Sequence, residues 1–295
     1  MKRKLVKQGA STMMISLPSK WIKANSLGKG DEIDVNELGK DLLIKKSKEL
    51  NGKNKAAIDV TGYSPLINRI LIALYQRGID ELEVRFSEKK EIIDFQKKVI
   101  NELLGFEIMK QSQGYILLKE ISGSENQDID EIIKRIIFIL DAMMEELVDA
   151  LENDKDLEPI IETDSSINKF VHFCLRLLNK RGYKNPNFTS QIYGLVSELE
   201  NMGDICKRMA KDFKKIKPTK EYIQIIKETR EQLRLIKGII FDYNKNNLLK
   251  FAKNHKLIKE RIKKMKNKTL IDFHLFAMNE AEVKLNNYVL PLISF

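Results

Sequence analysis

Glu200 and Asp204 stand four residues apart in a run with helical apolar periodicity, so both carboxylates fall on one side of a helix. Asp164 and Asn168 repeat that spacing one helix earlier. With Leu199 at the centre of the apolar face, Glu200 and Asp204 lie about 100–140° around from it, at about 100° per residue. That places them beside a bundle rather than inside its core. Oxygen ligands at this spacing on two adjacent helices could hold a hard or borderline divalent cation. Solvated surface acids are the plain alternative.

A second set lies at the amino terminus. Arg3, Lys4 and Lys7 precede Gly9, Ser11 and Thr12 follow it, and Lys20 comes after Pro18. Lysine and arginine neutralise phosphates, and the hydroxyls can bond phosphate oxygens or base edges. A two-stranded ribbon carrying them fits a major groove. The chain of 295 residues has net charge +10, and residues 1–50 hold 11 Lys and Arg against 6 acids. Half of the excess thus sits in about one-sixth of the length, which favours a polyanion partner. Residues 245–268 (ten Lys and Arg, with Glu260 the one acid) and 207–220 (seven, with Asp212) are basic too. A solvated face or a second contact with DNA or an acidic membrane surface would each account for them.

Chemistry of other kinds finds no support. His172, His255 and His274 are scattered over helical runs with no Ser, Cys or Asp constellation attached, and no Gly-rich nucleotide motif occurs. His172 reads as a packing residue. Cys174 and Cys206 sit in apolar patterns and read as buried free thiols, which suits a reducing compartment. No apolar run approaches the ~20 residues needed to cross a bilayer, and Leu5-Val6 is followed at once by Lys7. The expectation is a cytoplasmic protein that is not an enzyme.

The elements that must hold these residues fall into three blocks. Residues 1–50 read strand, turn at Gly9-Ala10-Ser11, strand, short helix from Ser19, then two strands around Glu37-Leu38-Gly39-Lys40. This block is too short to enclose a core alone, so it should interleave with a second copy of itself. After a linker at 51–55, residues 56–121 read as a small α/β unit. Its strands are 57–60 and 82–86. One helix runs from the Ser64 N-cap and Pro65 through Arg77, a second spans 89–104, and a terminal hairpin closes the unit. A linker at 122–128 leads to residues 125–295, which are helical throughout. Helices are expected from Ile129 and at 158–181, 189–215, 219–243, 246–266 and 269–290, as two antiparallel three-helix bundles of a duplicated unit. The fold class is therefore multidomain α+β.

Two resemblances follow. Lys4-Leu-Val-Lys-Gln-Gly9, Ser16-Leu-Pro-Ser19 and Leu27-Gly-Lys-Gly-Asp-Glu-Ile-Asp-Val35 resemble the SpoVT/AbrB family of swapped-hairpin transcription factors and antitoxins. That resemblance implies an intertwined homodimer whose basic strands face DNA. Residues 125–295 resemble the PhoU family of phosphate-uptake regulators, chiefly through Ser197-Glu-Leu-Glu-Asn-Met-Gly-Asp-Ile-Cys-Lys-Arg-Met-Ala210. This implies two three-helix repeats, a phosphate transporter or signalling protein as partner, and an acidic motif that binds iron or zinc in some members. Asn168 stands where the family has a carboxylate, and Lys284 where a second-repeat Asp would follow Glu280. Archaeal proteins of this kind carry a middle unit like 56–121. Together they imply a phosphate-responsive DNA-binding regulator; a PhoU-type adaptor that does not bind DNA is the alternative.

Overall fold

The computed structural model describes residues 1–9, 11–38, 41–46, 54–123, 127–265 and 269–293. Ala10 of the first turn, Gly39-Lys40 of the second, most of the 51–55 linker, 124–126 and the 266–268 break lie outside the described residues. The chain is mixed α+β and divides into two units, Met1–Gly52 and Lys53–Phe295.

In the first unit, β1 (Val6–Gln8) pairs antiparallel with β2 (Thr12–Met14), setting Val6 opposite Met14 and Lys7 opposite Met13. Gly9 has φ of 76°, a conformation that glycine adopts without steric cost. The short helix α1 (Ser19–Ala24) follows Pro18. β3 (Ile33–Leu38) and β4 (Asp41–Lys46) form a second antiparallel hairpin. The two hairpins are separate two-stranded sheets, and none of the unit's residues with an assigned burial is buried.

The second unit opens with a four-stranded sheet ordered β5-β6-β8-β7. β5 (Lys55–Asp59) and β6 (Glu81–Arg85) are parallel, as a strand-helix-strand start requires. β7 (Phe106–Ser112) and β8 (Tyr115–Glu120) form the closing hairpin. Two details depart from the sequence reading. Ser64 is not an N-cap: successive turns, Tyr63 N–H to Val60 O and Leu66 N–H to Tyr63 O, consume residues 60–66, and α2 begins at Ile67 and ends at Gln76. The stretch 89–104 is not one helix. It is a 3-10 turn at Lys89–Glu91, a short α3 (Ile93–Lys97) and another 3-10 turn at Val99–Glu102. Glu91 is drawn away to accept from the Gly62, Ser87 and Glu88 N–H groups, and β-branched Ile92, Ile93, Val99 and Ile100 weaken local helix preference. The sheet has its own core, built around Leu71, Tyr75, Val84, Phe95 and Ile116.

Six long helices follow: α4 (Ile129–Asn153), α5 (Glu158–Arg181), α6 (Thr189–Phe213), α7 (Lys220–Phe241), α8 (Lys245–Lys264) and α9 (Leu270–Val289). They match the expected six to within a few residues. α4–α6 and α7–α9 pack as two sets of three, yet α4 also packs on α7 and α6 on α9, so one continuous apolar core serves both sets. Asp141 of α4 accepts from both Arg230 and Arg234 of α7 and fastens the two sets together. Among the described residues no helix is long and apolar enough to cross a membrane.

Candidate functional site

The amino-terminal residues proposed for DNA contact are all exposed: Arg3, Lys4, Lys7, Ser11, Thr12 and Lys20. Pairing across β1 and β2 places Lys7 and Thr12 within one short ribbon around the turn. None of the six side chains has a hydrogen-bond or ion-pair partner among the described residues, so their polar groups are available to a ligand. The apolar residues of the same unit are exposed as well. Leu5 is 64% exposed, Val6 57%, Val35 54% and Leu42 63%. Trp21, Ile22 and Leu27 reach only intermediate burial. These side chains give the two-hairpin unit an exposed apolar surface.

In the second unit the acidic helix residues are placed differently from expectation. Asp164 is 1% exposed, so it enters the core instead of flanking it. The Lys207 ammonium lies 2.6 Å from its Oδ2, and the Asn168 amide donates to the same oxygen at 3.2 Å. Its Oδ1 is buried without a partner. Burial pushes the Asp164 carboxyl above its ordinary value against the pull of Lys207, and Asp204 and Glu102 add to the rise. Glu200 is raised too, first by burial, with His172 opposing and Asp204, Asp164 and Glu102 adding. Asp204 stays half-exposed and meets Arg208 of the next turn at 3.5 Å.

Three members of this neighbourhood were not legible beforehand. Glu102, from the second 3-10 turn of the sheet region, reaches to 3.7 Å from His172 Nε2. Gln76, the last residue of α2, lies 3.1 Å from His172 Nδ1. His172, read from sequence as packing, is therefore a buried polar link between sheet region and bundle. Lys207 is the third. It stands i+3 from Asp204, and its basic character was visible, but its reach across to α5 was not.

The resulting group is a carboxylate-rich recess with one built-in cation. Of the four residues proposed as ligands, Asn168 donates to Asp164 Oδ2, which also meets Lys207, while Asp164 Oδ1 is unpartnered. Among the described residues no three His, Cys, Asp or Glu side chains are grouped to hold a metal. The histidine and cysteine readings are simpler. Cys174 and Cys206 are buried and free, and burial pushes both thiols up to about 12, far from a reactive thiolate.

The sheet is joined to the bundle beside this recess. Arg176, in α5, is 2% exposed. It donates to Tyr75 O at 2.9 Å, to Ile79 O at 2.6 Å and to the Asp80 carboxylate, while stacking over Tyr75 and Phe106. Lys180 reaches Asp80 at 2.7 Å. Burial alone would raise Asp80, but Lys180, the Asn54 N–H and Arg176 outweigh it and hold the carboxyl below its usual range.

On the basic stretches, α8 pairs Lys250 with Glu231, Lys259 with Glu280 and Arg261 with Glu228. Lys253, Lys256, Lys263 and Lys264 remain exposed without ion pairs among the described residues, which fits a solvated face.

Comparison of the chain with family models, with curated proteins and with solved structures returned no match.

Proposed function

We propose that the protein is a homodimeric DNA-binding regulator of phosphate uptake, with residues 1–50 as a SpoVT/AbrB-like head, 56–121 as a small α/β domain and 125–295 as a PhoU-like sensor. One observation carries the reading: the first unit exposes the apolar side chains of both hairpins beside unpaired cations. Two copies interleaving would cover Leu5, Val6, Met13, Ile15, Val35 and Leu42 and leave Arg3, Lys4 and Lys7 on a shared face. A ligand or partner that binds one packing of the helical half better than another would shift the head between DNA-competent and incompetent arrangements. The phosphate assignment rests on the resemblance of residues 197–210.

A gel shift with genomic DNA fragments across a salt series tests the reading. Wild type should bind with an affinity that falls steeply as salt rises, and Lys4→Glu with Lys7→Glu should abolish binding while helicity is unchanged. Normal binding by that double variant sinks the assignment of the head.

A second reading keeps the dimer but gives it no DNA: an adaptor docking on a phosphate transporter or its signalling partner. Phe138 (58% exposed) and Phe273 (67% exposed) on the helical half favour it. Wild type that dimerises yet ignores DNA at low salt would select this reading.

A further inference from the structure

The second helical set buries several polar side chains with unanswered oxygens. Glu282 of α9 is 0% exposed, and neither carboxylate oxygen has a partner within hydrogen-bond distance, though the Asn279 side chain one turn back opposes the effect of burial on its carboxyl. Unpartnered buried oxygens also belong to Asn279 and Asn286 of the same helix and to Thr229 and Gln232 of α7. Five of these six atoms can only accept. Leaving even one such group dry and unpaired costs about 1–3 kcal/mol, so a concentration of them points to something that binds oxygens.

Two of these side chains meet one turn of α8. Asn279, Glu282 and Asn286 are spaced by three and four along one face of α9. Gln232 donates its amide to Phe251 O at 3.0 Å, and the Asn279 amide lies 3.0 Å from His255 Nδ1. Phe251 and His255 are one turn apart on α8 with their rings stacked. Gln232 and Asn279 therefore meet the same turn of α8 from α7 and α9. Their nitrogens are engaged there, which leaves the carbonyl oxygens unengaged. α7 and α9 start side by side, Tyr222 hydroxyl 3.0 Å from Thr269 Oγ1, so Glu282 lies about 4.5 Å further along α9 than Asn279. Long helical side chains lean toward the helix N-terminus, which carries its carboxylate back to the Asn279 level.

No protein cation answers Glu282. His255 faces the Asn279 amide through Nδ1. Lys259 pairs with Glu280, and Lys284 is turned toward Glu198 at 3.6 Å. α7 offers only Gln232 and Thr229 on this side. We propose that Gln232, Asn279 and Glu282 form a buried site for one dehydrated monovalent cation, sodium or potassium. A single carboxylate among neutral oxygens balances one positive charge, whereas a divalent ion would leave an uncompensated charge in the core. The inference does not depend on the proposed function.

Thermal unfolding of the full chain decides it, in sodium, potassium or choline chloride at equal ionic strength. Saturable stabilisation by sodium or potassium over choline, several degrees in Tm, is expected. Glu282→Gln should lose that dependence and unfold alike in all three salts. Thallium(I) NMR on wild type should show one slowly exchanging bound ion, a readout that needs no variant. Identical Tm values in the three salts with no bound thallium would overturn the proposal and leave a protonated Glu282. Stabilisation by magnesium exceeding that by either alkali ion would overturn the monovalent assignment.

Discussion

The Arg176 guanidinium of α5 donates to the Asp80 carboxylate at the start of β6, and both side chains are nearly sealed from solvent. Ninety-six positions of chain separate them. With Lys180 on the same carboxylate and Gln76 and Glu102 beside His172, this contact ties the small sheet to the helical half.

Removing one partner of such a pair leaves a buried charge unanswered and typically costs about 3–5 kcal/mol. Arg176→Met should therefore lower stability by about that much in urea unfolding. It should also raise protease sensitivity near residues 122–128, since Ile79 O and Tyr75 O lose the guanidinium, Tyr75 O keeping the Gly78 N–H. Adding Asp80→Asn should recover part of the loss. Equal stability of Arg176→Met and wild type would show that the sheet is held by something else.

The same pair sets a pH response. Asp80 is held below its ordinary value of 3.8, so its contribution is complete above that value and disappears as pH falls through the lower, folded one. Unfolding free energy measured from pH 6 down to 3 should drop more steeply for wild type than for Asp80→Asn. Subtraction of the two curves removes the share of other depressed carboxylates such as Asp141.

Asp164 has the opposite sign. Its carboxyl is raised by burial, so the stability linked to it is greatest below its unfolded value and is lost as pH rises through the folded one. Lys207 limits that loss. Lys207→Met should destabilise by about 3 kcal/mol at pH 7, with the deficit shrinking on acidification or on adding Asp164→Asn. A deficit that does not change with pH would mean the ammonium contributes packing alone.

For the head, a charge placed in the exposed apolar set should break self-association without unfolding the helices. Val35→Glu should shift the molecular mass measured by light scattering from dimer toward monomer, with far-UV dichroism preserved. A wild type that is monomeric at micromolar concentration would remove the basis for interleaved hairpins.

Much of the architecture was legible from residue order. Local signals determined the six helices, because each carries an apolar face several turns long and ends at Gly182, Pro218 or an Asn-rich break. The hairpins around Gly9 and between Ile33 and Lys46, and the parallel β5–β6 start, were legible for the same reason. The helix expected at 89–104 was not, because Glu91 serves backbone N–H groups across a loop and tertiary demand there overrides propensity. What only the tertiary structure decided is which polar residues meet. Asp164 with Lys207, Glu102 with His172, Arg176 with Asp80, and Gln232 with Asn279 through α8 are pairs drawn from different helices and sheets. Periodicity tells which face a residue occupies; the partner on the facing element depends on how helices stack around a shared core, and short-range pattern carries no record of that.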